Sequence, residues 1–348
     1  MHWLSQLNST QQVLLFGVIK ALVAVLALLS IVAYTVLAER KICAAIQDRI
    51  GPNRAGPFGI WQPIADAVKA FLKEDFVPGH VRKVFFWLAP ALTMAPALLT
   101  IAVIPFGSQV GAEKMVIADL NVGILYTFGI VSLGVYGIVL AGYAANSKYP
   151  FMGGIRSSAQ MISYEIAMGM SVIPLFLLVG SLNLSQVIDY QAHGWLGWLV
   201  FKQPLSFAIF LGAAFAETNR LPFDLPEAEQ ELAGGYNVEY SSIKFAMFFL
   251  GEYANMVAAS AMMVTLFFGG WTLPFAGLDQ PASTLLGGVV HIAIFLAKVL
   301  VFLVLFIWVR WMWPRFRYDQ LMDLGWKGLV PLALANIAVT ATLLWLRA

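Results

Sequence analysis

The sequence is poor in cysteine and in charge, and both shortages exclude whole classes of protein. Cys43 is the only cysteine among 348 residues, so neither a disulfide framework nor a Cys-rich zinc or iron–sulfur site fits this chain. Charged residues make up 11% of the chain, against about 25% in soluble domains, and 60% of the residues are hydrophobic. Water is therefore not the main solvent of the chain, and the composition indicates a membrane protein.

Several motifs of soluble enzymes are absent as well. The sequence has no Gly-rich turn for a dinucleotide, no phosphate-binding loop, no His/Cys cluster with metal spacing and no Gly-x-Ser-x-Gly elbow. Internal repeats are lacking too, which disfavours an inverted-repeat transporter. We therefore expect no catalytic residue, no metal site and no nucleic-acid partner, and the net charge of +2 indicates no particular partner.

Long apolar runs dominate what is present, and about 20 apolar residues are enough to cross a bilayer as a helix. They predict an all-α polytopic membrane protein that forms a single membrane domain over residues 1–348. Eight transmembrane helices are predicted, near residues 13–38, 84–106, 121–145, 160–182, 198–216, 243–270, 287–311 and 327–346. The fifth run is the weakest, because Lys202 and Pro204 shorten it. The first lacks a basic region before it and a cleavage site after it, which favours a retained helix over a signal peptide.

The Lys and Arg residues predict the orientation of these helices. Sixteen of them fall in the first, third, fifth and seventh connections, whereas the second, fourth and sixth connections hold only Lys114 and Lys202. Because cytoplasmic loops carry the excess of basic residues, the odd connections are predicted to be cytoplasmic and both termini extracytoplasmic. An even number of spans agrees with this arrangement.

The first cytoplasmic connection, residues 39–83, is richer than a simple loop. It opens with Glu39-Arg40-Lys41, and its many Gly and Pro residues predict a compact turn. A helical period follows and predicts an amphipathic helix flat on the membrane surface. Its apolar face holds Ile60, Trp61, Ile64, Val68, Phe71 and Leu72, and its polar face holds Gln62, Asp66, Lys69 and Lys73. Such a helix either gates a lipid-dissolved ligand or only seals the edge of the bundle, and spacing does not decide between the two.

The fifth connection, residues 217–243, carries six carboxylates against Arg220 and Lys244. If residues 227–231 are helical, Glu227 and Glu231 share a face, and their repulsion raises the pKa of at least one carboxyl group. A carboxyl group of that kind exchanges protons near neutral pH. Charge runs are usually solvated, but apolar residues among these acids favour a packed loop. Those residues are Pro222, Phe223, Leu225, Pro226, Leu232 and Tyr236.

Two acidic residues lie within predicted spans. Glu165 falls early in the fourth span and Glu252 in the sixth, where a charge at mid-bilayer costs about 2.5–3.5 kcal/mol. Together with Glu217 they predict a polar path from the acidic loop toward the membrane centre. The alternative is that both acids sit at headgroup depth or pair with a buried donor. His291 and Lys298 share a helical face and form a weaker candidate for a second polar stripe.

Five blocks of this sequence resemble the H-subunit family of bacterial respiratory complex I, whose members are homologous to mitochondrial NADH dehydrogenase subunit 1. The first block runs from Glu39-Arg40-Lys41 through Gly56-Pro57-Phe58-Gly59 to Lys69. The others are residues 145–149, residues 159–165, residues 216–240 with 249–253, and residues 317–322. The resemblance spans nearly the whole chain.

The resemblance implies a multi-pass subunit of a proton-pumping NADH:quinone oxidoreductase in the bacterial inner membrane, docked beneath the peripheral arm. It implies quinone as the substrate, with FMN and iron–sulfur clusters carried by other subunits, and access for quinone between the first helix, the sixth helix and the surface helix. The residues that match the lining of the quinone chamber are Arg40, Arg49, Asp66, Lys69 and Arg220. Those that match an acidic proton path are Glu165, Glu217, Asp224, Glu227, Glu229, Glu231 and Glu252.

The mechanism expected from these residues is coupling rather than catalysis. Quinone chemistry in the chamber would shift the pKa values of the loop acids, and a proton or an electrostatic signal would pass by Glu165 and Glu252 to neighbouring pump subunits. Three other readings stay open from the sequence. They are a homologous subunit of an ion-pumping membrane-bound hydrogenase without a quinone site, a stand-alone transporter, and a passive anchor for the peripheral arm.

Overall fold

The computed structural model describes residues 9–110, 113–192, 194–226, 229–275, 277–282 and 284–347, and the side chains of residues 9–15, 110, 195, 229 and 230 are outside that description. The helices are α1 (Ser9–Ile46), α2 (Gln62–Leu72), α3 (Lys83–Thr100), α4 (Gly123–Ala144), α5 (Lys148–Val179), α6 (Leu184–Gln191), α7 (Leu199–Lys202), α8 (Pro204–Glu217), α9 (Glu229–Leu232), α10 (Ser242–Phe267), α11 (Leu285–Met312), α12 (Tyr318–Asp323) and α13 (Val330–Arg347). A π-helical turn, Leu324–Leu329, joins the last two. Strands β1 (Gln109–Val110) and β2 (Glu113–Lys114) pair in antiparallel orientation.

Seven helical segments in the described ranges are long and apolar enough to cross a membrane, which confirms the all-α polytopic prediction. They are α1, α3, α4, α5, α10, α11 and the continuous segment Tyr318–Arg347. The fifth predicted span corresponds to α8, whose 14 residues are shorter than the others. At 1.5 Å per residue this helix covers roughly 21 Å, against a hydrocarbon core about 30 Å thick.

A break between α7 and α8 explains the short fifth helix. Gln203 has non-helical dihedral angles, as expected for a residue that precedes a proline. Side chains of α13 bind at this break: Gln203 donates to the Thr340 hydroxyl at 3.0 Å and accepts from the Asn336 amide at 3.2 Å. The Asn336 amide also lies 2.8 Å from the Ser206 hydroxyl. These bonds pair the polar side chains at the helix break with those of α13. In hydrocarbon alone, these side chains would have no hydrogen-bond partners.

Two helices extend farther than the apolar runs that predicted them. The first continues to Ile46, so Glu39-Arg40-Lys41 lies on α1 and the connection starts eight residues later than the predicted 39–83 segment. No Gly or Pro lies between Glu39 and Gly51, and helix formers such as Ala continue the helix. Similarly, α5 begins at Lys148, well before the predicted start near residue 160.

The connections gather at two ends of the bundle. One end, called the basic end here, holds residues 47–82, 145–147, 218–226, 229–241 and 313–317, and at this end the Phe316 amide donates to Pro222 O at 3.1 Å. The opposite end holds the β1–β2 pair, the segments around α6, and residues 268–275 and 277–282; at this end the Asn183 amide donates to Asp119 at 2.8 Å. The cytoplasmic location of the basic end stays a prediction.

Small residues allow close contacts between helices of the bundle, as is usual between helices in lipid. The contact between α3 and α4 is an example. A Cβ added to Gly137 of α4 would lie 2.7 Å from the main-chain nitrogen of Thr93 on α3. By contrast, a Cβ added to Gly129 of the same helix meets nothing within 4 Å. Only glycine therefore fits at position 137.

Gly137→Ala should lower the free energy of unfolding by about 1–3 kcal/mol, because α3 has to move away from the added methyl group. The melting temperature of the purified protein measures this effect. Gly129→Ala is the matched control, and it should leave the melting temperature unchanged or raise it, because alanine favours a helix over glycine. Equal melting temperatures for the two variants would contradict this account of the α3–α4 contact.

Candidate functional site

A buried charge cluster at the basic end joins four segments that are far apart in the sequence. It consists of Glu39 on α1, Arg220 after α8, Glu252 and Tyr253 on α10, and Arg310 on α11. Glu39 accepts hydrogen bonds from Arg220 at 3.3 and 3.4 Å, from the Tyr253 hydroxyl at 2.6 Å and from Arg310. Only 6% of Glu39 and 4% of Arg220 is exposed. The cluster thus fixes α1, α10 and α11 around one carboxylate.

Arg220 has two further partners in the cluster. Its Nε lies 2.8 Å from Glu252 Oε1, and its guanidinium stacks 4.1 Å above the Tyr253 ring. Burial alone would lower the pKa of Arg220, but Glu252, Tyr253 and Glu39 together raise it, so the guanidinium stays charged. With two arginines and two glutamates, the cluster is electrically balanced, which a buried set of charges requires.

Two cavities lie at the basic end near the cluster, and the first of them adjoins it directly. The arginine cavity, about 940 Å³, is lined by Val36, Glu39, Arg40, Cys43, residues 49–54, Gln62, Phe249, Tyr253, Arg310 and Trp311. The surface-helix cavity, about 440 Å³, lies between α1, α2 and α10 and is lined by Ala33, Val36, Leu37, Arg40, Gln62, Pro63, Asp66, Ala67, Lys69, Ala70, Phe245, Ala246, Phe249 and Leu250. Because Val36, Arg40, Gln62 and Phe249 line both, the two cavities share a wall.

The predicted amphipathic helix is confirmed as α2, and its polar face points toward the bundle. Asp66 lies 2.6 Å from Arg40 of α1 and accepts from the Gln62 amide at 3.1 Å. Its apolar side chains are exposed, as are those of the two residues before it: Ile60, Trp61, Ile64, Val68, Phe71 and Leu72. A helix with its apolar face outward fits a lipid interface rather than water.

The structure gathers most of the chamber residues predicted from the sequence. Arg40, Asp66 and Lys69 line the surface-helix cavity, and Arg49 lines the arginine cavity together with Arg40. Arg220 lies one layer behind these walls, bound to Glu39, which does line the arginine cavity.

Two acids lie deeper in the bundle. Glu217, at the end of α8, is 6% exposed, and neither of its carboxylate oxygens has a hydrogen-bond partner in the described part of the chain. Glu165 on α5 is near enough for its charge to act on Glu217, and it accepts a hydrogen bond from Ser132 on α4. Glu217 therefore differs from Glu39, whose carboxylate is surrounded by donors.

Two acids of the fifth connection, Asp224 and Glu231, have basic partners outside it. Asp224 lies 2.8 Å from Arg315 and Glu231 lies 2.7 Å from Arg156. Lys244, expected to face the acidic loop, pairs with a different segment, at 2.8 Å from Asp75. The sequence did not indicate these partners, because they come from distant elements. Glu227 lies outside the described residues, as does the side chain of Glu229.

The apolar residues of the fifth connection are buried, which favours a packed loop over a solvated acidic one. Phe223, Leu225, Leu232 and Tyr236 are each at most 6% exposed. Gln160 of α5 helps to hold the loop, since its amide donates to Phe223 O at 2.7 Å. The loop is therefore held in place on the basic end by its buried apolar side chains and by Gln160 of α5.

His291 and Lys298 lie toward the opposite end and bind neighbouring groups there. His291 Nδ1 lies 2.7 Å from the Ser108 hydroxyl. The Lys298 ammonium is 2.6–2.9 Å from three main-chain carbonyls, those of Phe268, Gly270 and Thr272. Carbonyls just past a helix end lack helical partners, so Lys298 stabilises the chain where α10 ends.

Sequence reasoning missed Glu39, Tyr253 and Arg310 as members of the cluster. Glu39 stands in an ordinary charge run, and Arg310 near a helix end looks like a residue that reaches for the headgroups. Only the folded chain brings them together across 271 positions. Within the described ranges, no group of three or more His, Cys, Asp or Glu side chains could hold a metal ion.

Comparison with known proteins agrees with the resemblance seen in the sequence. A family model described as NADH dehydrogenase matches residues 19–341. The chain is 50% identical over 319 residues to the H 1 subunit of the NADH-quinone oxidoreductase of Cytophaga hutchinsonii, covering 90% of this chain and 92% of that protein. It is 51% identical over 322 residues to NADH-quinone oxidoreductase subunit 8 of Rhodothermus marinus, covering 90% and 93%. It is 47% identical over 345 residues to the corresponding H 2 subunit of Koribacter versatilis, covering 94% and 96%.

Glu39→Gln should destabilise the protein by about 3 kcal/mol or more, because it leaves two arginines near the membrane without their shared carboxylate. The melting temperature of the purified protein measures the loss. Asp323→Asn is the control: it removes an exposed i,i+4 ion pair with Lys327, and pairs of that kind contribute about 0.3–0.5 kcal/mol. A melting temperature equal to that of the control would show that the cluster does not support the fold.

Proposed function

This chain belongs to the NADH dehydrogenase family, whose relatives are named as H subunits of NADH-quinone oxidoreductase, and on that premise we propose that it binds the quinone and couples its reduction to proton translocation. As a membrane subunit of a multisubunit enzyme, it holds no complete active site alone. We place it in the bacterial inner membrane, in contact with the other membrane-arm and peripheral-arm subunits. FMN and iron–sulfur clusters then belong to those subunits.

The observation that supports quinone binding is the pair of adjoining cavities. A quinone has an apolar tail and a ring with two oxygens that accept protons on reduction. The surface-helix cavity offers apolar walls from α1 and α10 beside the charged Arg40, Asp66 and Lys69. Its volume of about 440 Å³ falls in the range of small-molecule sites. The arginine cavity then gives the ring a route away from the lipid, past Arg40 and Arg49.

Coupling is supported by the position of the charge cluster at the cavity wall. Glu39 lines the arginine cavity and binds Arg220, which in turn pairs with Glu252 inside the bundle. A change of charge on the quinone would alter the balance among these groups, since electrostatic interactions are strong where water is excluded. Glu217 and Glu165 lie deeper and would carry the proton or the signal onward. Asp224, Glu227, Glu229 and Glu231 would connect the loop to that path.

Photo-crosslinking with an azido-quinone on the intact membrane complex tests the binding site. We expect labelled peptides from residues 33–70 and 245–253, because the quinone would lie between α1, α2 and α10. Excess unlabelled quinone is the control and should remove this labelling. Labelling confined to other subunits would refute a quinone site here and favour the homologous hydrogenase-type role.

Glu217→Gln should abolish most quinone-linked proton pumping, because the variant removes the deep carboxyl group that has no fixed partner. NADH oxidation by a hydrophilic artificial acceptor should stay normal, since that reaction bypasses the membrane arm. Glu113→Gln is the control, as Glu113 pairs with Lys20 at the opposite end. Proton uptake by vesicles that contain the complex measures pumping, and full pumping by Glu217→Gln would remove this residue from the path.

A further inference from the structure

The surface helix α2 needs an external support. It has 11 residues and buries none of them within this chain. Isolated helices shorter than about 12–15 residues are marginally stable, and the last carbonyls of any helix lack partners within it. The support therefore has to come from the elements that α2 contacts.

Two serines at the start of α10 provide it. Ser242 Oγ lies 3.0 Å from Ala70 O and 2.9 Å from Lys73 O, so its hydrogen is positioned to bind either carbonyl at the end of α2. Ser241 Oγ donates to Glu74 O at 3.1 Å. These contacts, called the hydroxyl clamp here, join the end of one helix to the beginning of another.

The backbone of Ser242 indicates that the surroundings impose its position. Its φ of 55° lies in the left-handed region, which non-glycine residues seldom adopt. Such a backbone conformation is unfavourable in free energy, and it persists only where the surrounding contacts enforce it. Residues of this kind concentrate at functional sites. Ser242 is also only 8% exposed, so water does not readily replace the carbonyls that it binds.

An ion pair of the buried Lys244 with the more exposed Asp75 reinforces the clamp at the start of α10. Lys244, only 2% exposed, lies 2.8 Å from Asp75, which follows α2 in the sequence. Its ammonium also lies 3.8 Å from the centre of the Trp87 ring on α3. Position 244 is thus held from two sides, and α10 provides a fixed point for the end of α2.

The clamp lies at one end of the surface-helix cavity. Lys69 and Ala70, which line this cavity, belong to the turn of α2 that the clamp holds. Phe245 and Ala246 line it from the first turns of α10, shortly after Ser242. A movement of α2 relative to α10 would therefore change the width of the cavity.

We infer that Ser241 and Ser242 are positioning residues that fix the surface helix against α10 and so keep the cavity between them in its binding shape. The link to quinone rests on the proposed function, whereas the hold on α2 does not. Neither serine touches the reacting atoms, and the effect on a lipid-dissolved quinone is through the wall of its cavity.

Hydrogen–deuterium exchange of residues 62–73 in the intact membrane complex tests the hold on α2. Ser242→Ala should accelerate exchange of these amides by about three- to tenfold, the range expected for loss of a neutral hydrogen bond. Ser242→Gly loses the same hydroxyl but relaxes the backbone, so it separates the hydrogen bond from the strain and should also accelerate exchange. Ser158→Ala is the control, because that hydroxyl binds only its own helix, and exchange should stay normal.

Kinetics with decylubiquinone test the link to the cavity. The Ser241→Ala/Ser242→Ala double variant should raise KM at least about twofold with kcat unchanged, since only the clamped fraction binds well. Normal exchange in both Ser242 variants would overturn the clamp. Faster exchange with an unchanged KM would overturn its role in quinone binding. Failure of the azido-quinone labelling together with faster exchange would refute the proposed site but leave the clamp standing.

Discussion

The packing of the helices at the basic end depends on the buried carboxylate of Glu39. An unpaired carboxylate is costly near the hydrocarbon, so Glu39 is stable only with donors around it. Those donors come from three other segments, in Arg220, Tyr253 and Arg310. Satisfying one carboxylate therefore fixes how α1, α10 and α11 meet, and the two cavities are the spaces left beside this junction.

The acids inside the bundle fall into two groups with different physical properties. Glu39 and Glu252 are paired with arginines, so their charges hold the geometry and respond to any new charge beside them. Glu217 has no partner for either carboxylate oxygen in the described part of the chain, so no fixed cation opposes a change in its protonation. The proposed relay would use both groups, the paired acids to respond to charge at the cavity and Glu217 to exchange protons.

The surface helix reverses the arrangement familiar from soluble proteins. Its polar face turns inward, where Asp66 binds Arg40, and its apolar face turns outward. This orientation gives the cavity behind it charged groups on one wall and apolar groups from α1 and α10 on the others. An amphipathic molecule from the lipid phase finds both kinds of surface in one place, whereas a purely apolar crevice would accept only its tail.

The class of the protein, seven of its spans, the amphipathic helix and the packed acidic loop follow from the sequence, because apolar runs and helical periods are local properties of a chain. The blocks around Arg40, Asp66 and the 216–240 segment also identified the family. Other features required the tertiary structure. Pro204 indicates the helix break at Gln203 from the sequence, but the bonds that α13 supplies there appear only in the fold. Asp224 and Glu231 likewise pair with arginines from other elements. The sequence did not predict the ion pairs of Glu39 with Arg220 and Arg310 either. The partner of a buried charge is determined by proximity in space, whereas a sequence pattern records only proximity along the chain.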